Sequence, residues 1–218
     1  MNSFADTFEF SIQRQRMVES QLRSRGITDE RVLDAMSRVP RHVFAPERYR
    51  DQSYEDHPLP IDDGQTISQP YIVALMLAAL TLAPTDKVLE VGTGSGYVTA
   101  LLAELTAKVF SVERHPALAN AARELLAGMG YSNVNVIVGD GNLGFPERAP
   151  YDAIIVSAAA PQVPQDLIEQ LIEGGRMIIP VGGGDSQQLQ LIRMESGQAQ
   201  VTLRELCRFV PLVSGEVL

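Results

Sequence analysis

Three glycines at every second position, Gly92, Gly94 and Gly96, separate an apolar strand pattern from a helical one and constrain this chain more than any other feature. The run is Val88-Leu89-Glu90-Val91-Gly92-Thr93-Gly94-Ser95-Gly96-Tyr97, continued by Val98-Thr99-Ala100-Leu101-Leu102-Ala103. Strand, glycine turn and helix is how an open parallel sheet meets a nucleotide, because glycine lets the backbone approach where any Cβ would collide. The spacing then discriminates between nucleotides. Dinucleotide sites use G-x-G-x-x-G and rest a pyrophosphate on the helix N-terminus. Here the pattern is E-x-G-x-G-x-G, and a carboxylate at Glu90 repels a pyrophosphate. It suits a cationic or zwitterionic ligand such as the amino-acid end of S-adenosylmethionine. The run Val109-Phe110-Ser111-Val112-Glu113 reads as a second strand ending in an acid seventeen residues after Gly96, where a ribose diol is received. Alone, Glu113 reads equally as a solvated strand end; with the glycine run, the two predict an S-adenosylmethionine site.

Downstream the pattern alternates. Strand 88–91 leads to helix 97–105, strand 108–112 to helix 116–128, strand 134–138 to Gly139-Asp140-Gly141, and strand 153–157 to helix 164–173. Strand 176–181 and a hairpin of 188–194 with 201–206 complete it. Repeated strand and helix with a terminal hairpin predicts an α/β fold: a Rossmann-like three-layer sandwich, mostly parallel, with helices on both faces and a C-terminal antiparallel hairpin. Upstream, residues 1–10 read as a loose arm and 11–25 as an amphipathic helix stopped by Gly26. A helix begins at Thr28 and ends before Pro40, and 41–66 is rich in loops. Another helix runs from Pro70 to about Leu82 with Ser68 as its cap. The chain is expected to form one domain, 1–218, in which 1–82 is an accessory, substrate-side layer and 83–218 the core.

Ligands of such sheets bind at the carboxyl ends of the strands, where Glu90, Gly92, Glu113 and Asp140 fall. Asp140 can accept from an adenine amino group while the Gly141 backbone approaches the ring; an aspartate before glycine is also an ordinary turn. A net charge of −9 and the lack of a basic run argue against nucleic-acid binding. The single Cys207 excludes an internal disulfide and reads as a small buried hydrophobe. Residues 1–10 carry acids and no apolar stretch, unlike a signal peptide, and 72–80 is too short to span a bilayer. A cytoplasmic setting is expected. His42, His57 and His115 are scattered without ligand spacing, so no metal is expected.

Along nearly its whole length the chain resembles the protein-L-isoaspartate O-methyltransferases. The resemblance is carried by Gly64-Gln65-Thr66-Ile67-Ser68-Gln69-Pro70, the glycine run, Gly139-Asp140-Gly141 and Tyr151-Asp152-Ala153-Ile154-Ile155-Val156-Ser157-Ala158-Ala159-Ala160-Pro161. Gly174-Gly175-Arg176-Met177-Ile178-Ile179-Pro180-Val181-Gly182 and Arg208-Phe209-Val210-Pro211-Leu212 complete it. It implies methyl transfer from S-adenosyl-L-methionine, giving S-adenosyl-L-homocysteine, to the free carboxylate of L-isoaspartyl residues in damaged proteins and peptides. It implies Ser68 at the active site, with Glu90, Gly92, Thr93, Gly94, Gly96, Glu113, Arg114, Asp140 and Gly141 around the cofactor. Thr66, Ile67, Ser68, Val210, Pro211 and Leu212 would meet the substrate, and a monomer is expected.

Such a transfer is an in-line displacement by a carboxylate already ionised at pH 7, so it needs neither a strong base nor a metal. Asp62 and Asp63 before Gly64 would weaken binding of an anionic acceptor if they faced inward, so both are expected in solvent, and His57 is expected at the surface. Two other readings share the cofactor motifs: a methyltransferase of a small-molecule carboxylate, and a non-catalytic S-adenosylmethionine-binding protein.

Overall fold

The computed structural model describes residues 6–184 and 186–215. Nine strands and six α-helices follow one another as α1 (Phe8–Met17), α2 (Glu30–Arg38), β1 (Leu59–Pro60), β2 (Thr66–Ile67), α3 (Pro70–Leu80), β3 (Lys87–Val91), α4 (Tyr97–Leu105), β4 (Lys108–Glu113), α5 (Pro116–Gly128), β5 (Val134–Val138), β6 (Tyr151–Val156), α6 (Gln165–Glu169), β7 (Leu171–Val181), β8 (Gln187–Glu195) and β9 (Gln198–Cys207) among the described residues. Seven strands form one sheet in the order β5-β4-β3-β6-β7-β8-β9. The first five pair in parallel, and β8 and β9 add an antiparallel end. The α/β class, the parallel sheet and the terminal hairpin agree with the sequence reading. After β3 the chain travels outward through β4 and β5, then returns to pair β6 against the other side of β3. The loops after β3 and β6 therefore leave in opposite directions and open a crevice between them.

The two faces are covered unequally. A large apolar cluster joins α1 through α5 to one side of the sheet, through residues such as Met17, Leu33, Met36, Leu77, Leu101 and Leu126 against Val88, Val109, Ile155 and Ile178. The opposite cluster, Leu89, Val91, Phe110, Ile154, Val156, Met177 and Ile179, is roofed by little more than α6 and the segment around Phe145. The long helix expected over 164–173 is thus cut to Gln165–Glu169. Leu171 already pairs with Tyr151 in β7, and Gly174, at φ 77, and Gly175 carry a bulge no helix could follow.

Other boundaries moved as well. Thr7 caps α1 by accepting from Phe10 N at 3.3 Å, so residues 8–10 are helical rather than part of an arm; residues 1–5 lie outside the described residues. The helix continues through a π turn (Val18–Leu22) and a 3-10 turn (Arg23–Arg25) to Gly26 at φ 90. α2 begins at Glu30 rather than Thr28, capped by Asp29, which accepts from Arg31 N at 3.0 Å and Val32 N at 3.3 Å. The helix after Pro70 stops at Leu80, where Thr81 turns left-handed at φ 46. No helix among the described residues is long and apolar enough to cross a membrane.

Candidate active site

A cavity of about 320 Å³ opens at the carboxyl ends of β3, β4 and β6. Its walls include Thr66, Ile67, Ser68, Gly92, Thr93, Gly94, Glu113, Arg114, Gly141, Val210, Pro211 and Leu212. Segments separated by well over a hundred residues in the chain thus converge on one crevice. Gly92, Gly94 and Gly96 have φ of 92, 52 and 87°, conformations L side chains rarely adopt. Gly92 N donates to Val112 O at 2.8 Å, which ties the loop to the end of β4. Glu113, 5% exposed, closes that side. Its Oε2 accepts from Gly94 N at 2.9 Å and its Oε1 from His115 N at 3.0 Å. Each oxygen keeps a lone pair for a donor in the cavity. Gly141 is glycine for steric reasons: a Cβ would collide with Val91 Cγ1 and crowd Leu212 Cδ1 at 3.3 Å.

Three expected contact residues do not line the cavity. Glu90 points into the packing beneath the loop and is fully buried; its Oε2 accepts from Thr99 Oγ1 and from Ser111 Oγ, both at 2.5 Å. Ser111 spends its proton there, so Thr93 Oγ1, 2.5 Å away, is the donor to Ser111. Burial pushes the Glu90 carboxyl up to about 8 against the opposing pull of Ser111 and Thr99, and Oε1 is buried without a partner. Glu90 therefore supports the loop from behind instead of facing a ligand. Gly96 packs on Ala122 and Leu126. Asp140 lies at the rim, accepting from Asn142 N at 2.9 Å and from Gly215 N at 2.9 Å. Burial alone would raise it, but the hydrogen bonds of Asn142 and Gly215 and the charge of Arg114 outweigh burial and hold it low.

Ser68 is not the helix cap. Gln69 holds that position, at φ −51 and ψ 136, and gives no side-chain cap to α3. Ser68 instead sits in the cavity wall at the end of the β1–β2 hairpin, where Leu59 pairs with Ile67 and Pro60 with Thr66. From the other end of the chain, residues 209–213 run over the opening. Ala159 N donates to Val210 O at 2.8 Å, and Leu212 N donates to Ala159 O at 2.7 Å. Phe209 N donates to Gln187 Oε1 at 2.8 Å, and Arg114 Nη1 to Val213 O at 3.0 Å. His57 lies at the surface against Glu55, at 3.0 Å. Asp62 and Asp63 are exposed, although Asp63 Oδ2 comes within 4.0 Å of His115 Nδ1.

The sequence reading overlooked Tyr97, His115 and Gln65, all of which line the cavity. His115 directly follows the Glu113-Arg114 strand end, a placement that would have flagged it. Tyr97, 1% exposed, reads in sequence as a core aromatic, which it also is.

The family model for protein-L-isoaspartate(D-aspartate) O-methyltransferase matches residues 12–217. The chain belongs to that family. It is 53% identical over 216 residues to the protein-L-isoaspartate O-methyltransferase of Koribacter versatilis, covering 99% of this chain and 97% of that protein. The methyltransferase of that name from Methanoculleus marisnigri is 55% identical over 202 residues, 92% of this chain and 91% of its own length. A Plasmodium falciparum structure described as a protein-L-isoaspartate O-methyltransferase in complex with S-adenosyl-L-homocysteine superposes with a TM-score of 0.80. It is 29% identical, over 92% of this chain and 98% of that one. The isoaspartate methyltransferase family thus spans both the accessory layer and the sheet of this chain.

Proposed function

We infer that this chain is an S-adenosyl-L-methionine-dependent protein carboxyl O-methyltransferase, which methylates the free carboxylate of L-isoaspartyl residues in damaged proteins and peptides and so initiates their repair. The observation that carries this reading is a single cavity in which the glycine loop and Glu113 face the Thr66-Ile67-Ser68 segment. The bare glycine backbone, the acid at the end of β4 and the steric need for glycine at 141 fit an adenosyl amino acid. When bound, S-adenosyl-L-methionine supplies an electrophilic methyl on a sulfonium. Glu113 would accept from a ribose diol, and the bare backbone at Gly92 and Gly94 would let the ligand approach. Gly141, close to Val91 and Leu212, would flank the adenine end, with Asp140 at its edge. Glu90 and Gly96 act on the cofactor through the loop's shape.

Ser68, with Thr66 and Ile67, orients the acceptor carboxylate by hydrogen bonding, while Val210, Pro211 and Leu212 exclude water. Opposite charges neutralise as the methyl moves, so a site that gripped the carboxylate too strongly would slow the reaction. A neutral hydroxyl positions it without that penalty, and rate comes from alignment and exclusion of water. A cytoplasmic monomer is proposed beside it, and the net charge of −9 supports the lack of a nucleic-acid partner. The test is transfer of a radiolabelled methyl group to an isoaspartyl peptide, scored as base-labile product against the aspartyl peptide. Equal labelling of both peptides, or of neither, would remove the reading.

A further inference from the structure

Ser68 needs a fixed backbone, and on its N-terminal side the buried Ile67 and a short hairpin supply it. The β1–β2 ladder holds only Leu59↔Ile67 and Pro60↔Thr66, and residues 62–64 are exposed. On the far side α3 starts without a side-chain cap. The Gln69 side chain turns back instead and gives Nε2 to both Asp56 O, at 3.0 Å, and Asp56 Oδ2, at 2.9 Å. The same Oδ2 takes Arg25 Nη1 at 2.5 Å. The Arg25 guanidinium lies 3.5 Å over the ring of Tyr71, in the first turn of α3. Arg25, Asp56, Gln69 and Tyr71 thus form a polar clamp that joins the end of the first helical run to the residue after Ser68.

We propose that Asp56 is a positioning residue for methyl transfer, holding Gln69 so that Ser68 meets the acceptor carboxylate. The assignment rests on the methyltransferase reading above. Stability alone does not account for the clamp. Asp56 is 27% exposed in its side chain and its Oδ1 is buried without a partner, an arrangement that adds little net stability. What the clamp does fix is the residue after Ser68, on the side of this wall segment that neither the two-pair hairpin nor the buried Ile67 reaches. Small displacements there are costly, since misplacing a reactant by about 1 Å can cost roughly a hundredfold in rate.

The test uses the full chain and four variants, Asp56→Ala, Asp56→Asn, Gln69→Ala and the double variant Asp56→Ala/Gln69→Ala. Turnover on an isoaspartyl peptide is measured beside the dissociation constant for S-adenosyl-L-homocysteine. Asp56→Ala and Gln69→Ala are each expected to lower kcat/KM by about tenfold or more, with cofactor affinity within about twofold of wild type. Asp56→Asn, which keeps an acceptor for Gln69, restores most of the rate. The double variant falls no further than Gln69→Ala, because Asp56 acts on Ser68 through the Gln69 side chain. Should Asp56→Ala fail to fold, Gln69→Ala and Asp56→Asn still decide. Wild-type kcat/KM in Gln69→Ala, additive losses in the double variant, or equal losses of cofactor and peptide binding would overturn the clamp. Wild-type inactivity on the peptide would instead overturn the parent reading.

Discussion

Glu90 shows how one side chain can be right in position and wrong in direction. Side chains alternate along β3, so Leu89 and Val91 enter the thinly covered cluster while Val88 and Glu90 turn towards the helices. That parity is legible in the sequence; which face carries the helices is not. The buried, protonated carboxyl has a consequence for stability. Its folded value, about 8, lies above the ordinary 4.5, so between these values the native state holds a proton that the unfolded chain has released. Stability then falls as pH rises, by up to ~1.4 kcal/mol per unit, and levels off above about 8. Glu90→Gln still accepts from Ser111 and Thr99 but cannot ionise. Urea midpoints measured from pH 5 to 9 are expected to drop less steeply in the variant than in wild type; parallel curves would show that Glu90 is already charged. Gly141 gives a second prediction. Gly141→Ala forces a methyl into Val91, so a loss of about 1–3 kcal/mol is expected in chemical denaturation, with roughly tenfold weaker S-adenosyl-L-homocysteine binding by calorimetry.

At the scale of elements, the core strands and the two long helices beside the crevice follow their sequence patterns closely. α4 and α5 occupy 97–105 and 116–128 as read, because Gly96 and Pro116 mark their starts and apolar spacing marks their inner faces. The ends of the chain were less legible, since long-range contacts decide them. Phe10 is helical and stacks on His42 with ring centroids 4.0 Å apart, a contact that no local pattern announces. Residues 209–213 carry no period at all, yet they roof the cavity by bonding to Ala159 and to Gln187. Gln187 is 3% exposed and serves both sides, donating to Gly184 O at 2.9 Å and accepting from Phe209 N. Losing that acceptor removes about 1 kcal/mol of hydrogen bonding. Gln187→Ala is therefore expected to loosen the roof and lower kcat/KM for the isoaspartyl peptide by roughly fivefold. Turnover at the wild-type rate would mean that the contacts at Ala159 hold the roof unaided.

For the whole molecule, the question is whether the accessory layer and the sheet behave as one body. The larger apolar cluster passes without a break from α1 and α2 into the sheet, and Arg176 adds a polar weld at the same seam. From β7 its Nε donates to Leu80 O at 2.6 Å and its Nη2 to Thr81 O at 3.0 Å, which catches the end of α3. It also pairs with Asp86, whose Oδ2 receives Ala83 N at 2.8 Å just before β3. Both side chains are largely buried, at 11% and 7% exposure, so removing the cation strands a desolvated carboxylate. Such a break costs about 3–5 kcal/mol, far more than a surface pair. Because the weld and the cluster bridge the same two parts, the loss should fall on the molecule as a unit. Arg176→Ala is expected to lower the midpoint of a single thermal transition, with far-ultraviolet ellipticity and tyrosine fluorescence still falling together. If instead the helical signal melted ahead of the rest, the accessory layer would be a separate cooperative unit, and Ser68 would be carried by a part able to unfold alone.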